Sequence, residues 1–294
     1  MMRKFNLHYP CVTLLLISLC SFFLNVLPCG ASSISVSIDS EDEIAGYASD
    51  LGMSFSAVSK EDMTKINLQF NGKVLSVRIG SGAREGEIYI EGYSIDNGAV
   101  ATLTNDDFNA LETLLLEVDI SDNHIGRMFI RTLNLLHGWP GNLPLFVVMN
   151  NSVIIALSGN YFPLILDRSI FDTPPFVVDI CDDYTKPHDG RYFTFFLMFP
   201  IKVNEVRETV GGEECIGRCG GGCMGERFLE NWHNLYTQDC FNHDVCCEKL
   251  GLFNWNCNMI FLLCIDDAFS FSVDCEQAYD STTTSSTTTT IGLL

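Results

Sequence analysis

The residues best placed to do chemistry lie in one stretch, Asp239-Cys240-Phe241-Asn242-His243-Asp244-Val245-Cys246-Cys247. It sets an imidazole beside a carboxylate and surrounds both with thiols. Read as a helix, it puts Cys240, His243, Cys246 and Cys247 on one face, because residues three and four apart are neighbours there. Asp244 points about a quarter-turn away. Such a helix would carry a general base, a metal ligand and the sulfurs that hold them still.

Two flanking segments must position that helix. Upstream, Gly217-Arg218-Cys219-Gly220-Gly221-Gly222-Cys223-Met224-Gly225 lets the backbone turn sharply and aim carbonyls inward, which suits a hard cation such as Ca²⁺. It is a poor phosphate cradle, since no Lys-Ser/Thr follows; a plain disulfide-pinned turn is the other reading. Downstream, residues 256–269 have helical spacing, with Cys257, Phe261, Cys264 and Ala268 in one stripe and Asp267 on its edge. Docked antiparallel, with Cys246 and Cys247 level with Cys264, this second helix would bring Asp267 opposite His243. A carboxylate hydrogen-bonded to an imidazole fixes its tautomer and raises its basicity. Asp266 competes for that role but points roughly a hundred degrees away.

The motifs together resemble the secreted phospholipase A2 superfamily. Cys-x-x-His-Asp-x-Cys begins at Cys240, Cys-Gly-x-Gly at Cys219, and Leu-Cys-x-x-Asp at Leu263. Gly222-Cys223-Met224-Gly225-Glu226 is similar to the loop end of the plant-type branch. The resemblance spans about residues 215–275 and nothing before them. It implies a small, disulfide-rich, mainly α-helical domain of two antiparallel helices and a calcium loop. By that resemblance His243 takes a proton from water and Asp267 orients it. Asp244 binds Ca²⁺ together with the carbonyls of Arg218, Gly220 and Gly222, and the sn-2 ester of a glycerophospholipid is cleaved. Cys219 pairs with Cys240.

Departures from the pattern fall on the disulfides more than on the reacting groups. Asp239 stands where the family has a second cysteine before the histidine, Cys247 where it has tyrosine, and Asp266 where cysteine is common. The usual partner of Cys246 is therefore missing, and the helices need another staple, Cys264 among the choices. The segment 226–238 between loop and histidine is also longer than usual.

The rest of the chain reads as a secreted protein. Arg3 and Lys4 precede an apolar run over residues 11–27, and Cys29-Gly30-Ala31 offers small residues for cleavage, so residues 1–31 are expected to be a signal peptide. Of the 13 cysteines, Cys11, Cys20 and Cys29 lie in that signal. Nearly all the others crowd into residues 215–275, which argues for disulfides over a zinc site on Cys240, His243 and Cys246 or Cys247. The formal net charge is −20, and Arg3 and Lys4 leave with the signal while every acid stays. A surface that acidic repels nucleic acid and anionic lipid, and suits zwitterionic phospholipid or cations.

Residues 32–209 are expected to form an α+β domain of unassigned role. Strand patterns occur at 34–38, 66–70, 74–79, 87–95, 145–149, 153–157 and 192–199, with Asn71-Gly72 as a hairpin turn. Helices are expected from Thr104 and over 121–136. Asn150-Asn151-Ser152 is the N-glycosylation sequon. Residues 210–280 form the cysteine-rich domain, and 281–294 a Ser/Thr-rich disordered tail. Leu252, Phe253 and Trp255, with Trp232 and Tyr236, would either rim a lipid site or fill a core. A non-catalytic secreted binding protein that uses the cysteine-rich segment as a scaffold is the competing function. Retention of both His243 and Asp244 favours the hydrolase.

Overall fold

Alternation of apolar and polar residues over the first half of the chain produces one long antiparallel meander. The computed structural model describes residues 34–80, 86–158, 160–167, 187–196, 199–210, 216–217, 237–251 and 254–269. Its strands are β1 (Ile34–Asp39), β2 (Glu43–Ala48), β3 (Met53–Lys60), β4 (Met63–Phe70), β5 (Lys73–Gly80), β6 (Ile88–Ser94), β7 (Phe146–Met149), β8 (Val153–Leu157) and β9 (Pro163–Asp167), paired in sequence order in one nine-stranded sheet. The register aligns Ile44, Ala57, Ile66, Val77, Ile90, Val147, Ala156 and Leu164 in a continuous cross-strand row. All eight are buried, so period-two patterning puts every second side chain on the core face. Asn71 and Gly72 both take positive φ, 48° and 70°, forming the expected tight turn between β4 and β5.

Two helices between β6 and β7 cover that face: α1 (Asn105–Glu117) and α2 (His124–His137). Thr104 caps α1 reciprocally with Asp107, which is why acids sit in its first turn. Asp107 is fully buried and also accepts from Asn71 Nδ2 at 3.0 Å and Lys73 Nζ at 2.8 Å. Burial opposes its ionisation, but these donors and Thr104 outweigh that and hold the carboxyl below its ordinary range. The helix is thereby fastened to the β4–β5 turn. On the other side, Phe129 of α2 stacks on Phe55 of β3 with ring centroids 5.3 Å apart.

The later part of the chain folds onto the same core. Strands β10 (Pro187–Phe196) and β11 (Phe199–Thr209) form a separate two-stranded ribbon. Helix α3 (Gln238–Leu250) packs on β10, and α4 (Trp255–Leu263) packs on α3. A disulfide joins Cys246 to Cys257, and Cys240 Sγ lies 4.0 Å from the Cys264 carbonyl. Those two contacts run in opposite chain directions, so the helices are antiparallel. The staple is thus Cys257, and Cys264 remains a free thiol. Phe261, Leu262, Leu263, Ile265 and Phe269 belong to the same buried cluster as the sheet and α2. Trp139 meets Phe261 edge-on at 5.3 Å, and Asn258 Nδ2 donates to Asn142 Oδ1 at 2.9 Å.

Gly190 of β10 shows how closely α3 is seated. A Cβ there would lie 2.8 and 3.2 Å from ring carbons of Phe241 and 3.6 Å from Val245. Gly190→Ala is therefore expected to lower the unfolding free energy by about 1–3 kcal/mol, the usual cost of overpacking. Urea denaturation read by far-UV circular dichroism checks this; an unchanged midpoint would mean that α3 can move away from the ribbon freely.

Candidate functional site

Thr237 starts α3 by accepting from the Cys240 backbone N–H at 3.2 Å. Its own N–H donates to the Gly217 carbonyl at 3.2 Å, while the Gly217 N–H donates to Asp244 Oδ2 at 2.7 Å. The first residue of the glycine segment is thus clasped from both sides by α3, and its φ of +93° is a conformation glycine alone adopts cheaply. From the opposite side, buried Asn242 accepts from the Arg191 N–H at 2.7 Å and from Gln238 Nε2 at 2.9 Å. Asn242 fixes the rotation of α3 about its axis, a role that sequence reasoning missed because a lone asparagine in a helix carries no distinctive signal.

Within that frame the imidazole of His243 is held at both nitrogens. Nδ1 lies 3.1 Å from Asp244 Oδ1, and Nε2 lies 3.3 Å from Cys247 Sγ. The ring of Phe261 closes its side edge-on at 5.2 Å. Burial works against a charged ring here, but the Asp244 carboxylate and the Cys247 sulfur outweigh it and raise the imidazole to about 10. Side-chain exposure is 15 % for His243 and 25 % for Asp244, so the pair opens toward solvent at its carboxylate end.

The two nitrogens of His243 meet Asp244 and Cys247 rather than the expected Asp267. Helix α4 stops at Leu263, and Asp267 begins a 3-10 turn over Asp267–Phe269 that packs against α2. Continuous helical spacing through residue 269 fails because the Cys264 N–H turns back to the Phe261 carbonyl at 3.1 Å, and the two aspartates that follow are weak helix formers. Pairing Cys246 with Cys257 also sets the register, so that Phe261, rather than Asp267, lies against His243. The group that meets Nε2 is Cys247, whose signal in the sequence was its i, i+4 spacing from His243.

Other expected residues are less defined. Arg218, Gly220, Gly222 and Cys219 lie outside the described residues, as do the signal segment and the apolar residues Trp232, Tyr236, Leu252 and Phe253. Cys240 is disulfide-bonded. Among the described residues no cluster of three or more His, Cys, Asp and Glu is arranged as a metal site. What they supply is one carboxylate, Asp244, clasped to the start of a glycine-dense segment. A carboxylate beside turning backbone suits a hard cation with oxygen ligands. Cys264 is buried, and desolvation, followed by the charges of Asp267, Asp244, Asp239 and Asp266, pushes its thiol well above the ordinary range.

Residues 201–292 match a domain of unknown function, DUF8213. The match begins inside β11 and takes in α3, α4 and the sulfur-rich segments around them. No curated protein and no solved structure matches the chain. No helix among the described residues is long and apolar enough to cross a membrane.

The imidazole shift has a consequence for stability. With the folded value about 10 and the ordinary value 6.5, the folded state holds a proton that the unfolded chain releases. The resulting stabilisation is complete below the ordinary value and is lost as pH rises through the folded one. In EGTA, the unfolding free energy of the parent is expected to fall between pH 7 and 10 by up to about 1.4 kcal/mol per pH unit. His243→Gln should lack that component. Urea titrations of both proteins at successive pH values measure it, and parallel pH profiles would refute it.

Proposed function

We propose that the chain is a secreted, calcium-dependent hydrolase of the phospholipase A2 type, cleaving the sn-2 ester of glycerophospholipids at a zwitterionic lipid surface. One observation carries this reading: a single carboxylate, Asp244, joins the His243 imidazole to the first residue of the glycine segment. An ester hydrolase needs a base within reach of the group that attacks and a positive centre near the developing oxyanion. Bound Ca²⁺ would supply the second, polarising the carbonyl and holding the phosphate. Asp244 and the carbonyls of Arg218, Gly220 and Gly222 are the residues that would hold it.

The chain's own groups do the rest. Oδ2 of Asp244 is fixed by Gly217, so Oδ1 can leave Nδ1 of His243 without the carboxylate losing its place. Losing that hydrogen bond removes the chief contact that holds the ring protonated, so Nδ1 can then take a proton from water at the ester carbonyl. Phe261 keeps one face of the ring dry, which strengthens these interactions. The acidic exterior favours neutral headgroups over anionic ones.

The test is fatty-acid release from phosphatidylcholine vesicles by the full chain in Ca²⁺, in EGTA, and for Asp244→Asn in Ca²⁺. Release only in the first condition is expected, with calorimetric Ca²⁺ binding lost in the variant. Equal release in all three would end the proposal.

A further inference from the structure

One end of the nine-stranded sheet collects exposed apolar side chains. Strand register brings its turns together: Ala48 pairs with Met53, Ser54 with Gln69, Phe70 with Lys73, Lys73 with Ser94, Glu91 with Phe146 and Leu157 with Pro163. The connections 49–52, 71–72, 95–98 and 158–162 therefore emerge side by side. On the face turned away from the helices, Tyr47, Ser54, Gln69, Val74, Tyr93 and Val100 form one cross-strand row at this end. Tyr161 extends it, its hydroxyl donating to the Val100 carbonyl at 3.4 Å. The φ of Tyr161 is +62°, a left-handed conformation that bulky residues rarely take. Two bonds hold it there: Tyr161 N–H donates to the Ser158 carbonyl at 2.8 Å, and Ser158 N–H to the Phe162 carbonyl at 2.9 Å. This turn directs Phe162 outward, where it is 69 % exposed; Tyr47, Val74, Ile95 and Tyr161 are exposed by 42 to 53 %. Charge is missing here. No Asp, Glu, Lys or Arg occurs between Arg131 and Asp167, although such residues make up 18 % of the chain. The four connections carry two acids, Asp50 and Asp96, and no lysine or arginine.

We propose that this end of the sheet docks on a zwitterionic phospholipid surface, with Phe162 and Ile95 entering the boundary between headgroups and acyl chains. This rests on the lipid-surface reading given above for the kind of surface, and does not depend on ester cleavage there. Charge selects the partner. The chain has a net charge of −20, and the charged residues of these turns are both acids, so an anionic bilayer is repelled while a neutral one is not. The tyrosines fit the same boundary, since each has an apolar body and a polar tip. A second copy of the chain is the weaker occupant. It would add along the free edge of β9, but the most exposed side chains, Phe162 and Tyr161 among them, sit on turns beyond the paired strands. Pro163 also opens β9 without a backbone donor. Apolar groups that project from several turns at one end of a sheet suit a soft, continuous surface better than a strand partner.

The experiment is flotation of the full chain, in EGTA, with vesicles of ether-linked phosphatidylcholine, which offer no ester to cleave. The parent is expected to float with the vesicles. Phe162→Gln should partition about tenfold less, and Phe162→Gln combined with Ile95→Gln should stay in solution. Both side chains are exposed, so the circular dichroism of the variants should match the parent's. Ile38→Gln alters a residue 40 % exposed at the other end of the sheet and should float as the parent does. Doping the vesicles with ether-linked phosphatidylglycerol should weaken the parent's binding. No flotation of the parent, or equal flotation of the parent and the double variant, overturns the proposal. So does a parental dimer in sedimentation velocity that Phe162→Gln splits, because a second copy would then cover the patch. Flotation without fatty-acid release from ester-linked vesicles in Ca²⁺ refutes the hydrolase and leaves the docking surface standing; release without flotation does the reverse.

Discussion

His243→Gln is expected to lower fatty-acid release by about a thousandfold, within the 10²–10⁴ range typical of a positioned acid–base group. In the proposed mechanism the imidazole is the group that accepts the proton of the attacking water. Its two nitrogens look at the two other polar groups of the centre, Asp244 and Cys247. Glutamine has similar length and keeps a polar tip, but it cannot accept and return a proton near neutrality. The seat for the cation should survive, because the Gly217 N–H still holds Asp244 Oδ2. Calorimetric Ca²⁺ affinity within about threefold of the parent's, with catalysis gone, would localise the loss to the chemical step. A variant that keeps a tenth or more of the parental rate would remove His243 from the mechanism.

What could be read beforehand followed the range over which each signal acts. Period-two patterning in residues 63–70 and 73–80 is local, so these strands and the Asn71-Gly72 turn are legible from the chain. Expected strands coincide with β1, β4 through β8 and part of β10, whereas β2, β3, β9 and β11 lie outside them. The cap at Thr104 was likewise visible as acids at a helix start. Register between α3 and α4 was harder, because it depends on which cysteine finds which. Choosing Cys264 instead of Cys257 shifts one helix along the other by about two turns, enough to replace Phe261 with Asp267 opposite the histidine. The clasp of Gly217 between Thr237 and Asp244 depends on contacts between segments about twenty residues apart. No periodicity encodes it. The i, i+4 relation of His243 and Cys247 was in plain view, but its meaning depended on Cys247 being left unpaired.

The site also depends on the sheet, which motif reading treats as a separate matter. Trp139 is 2 % exposed and donates from Nε1 to the Leu143 carbonyl at 2.9 Å. Its ring meets Phe261 at 5.3 Å, and Phe261 meets His243 at 5.2 Å. Three rings in contact thus run from the loop after α2 to the reacting imidazole. Trp139→Ala should cost about 3–5 kcal/mol, the usual loss for deleting a buried aromatic. The cavity falls between α4 and the segment that follows α2, so the loss should reach both parts of the structure. Hydrogen exchange should show amides of α3 and α4 losing protection together with those of β4 and β5, since their side chains share one buried cluster. Activity should fall along with stability, by about tenfold, because Phe261 no longer has a fixed position against His243. Protection that drops in the sheet but holds in α3 and α4 would show the helix pair to be stable by itself. In that case the rings at the interface would be contacts without consequence for the site.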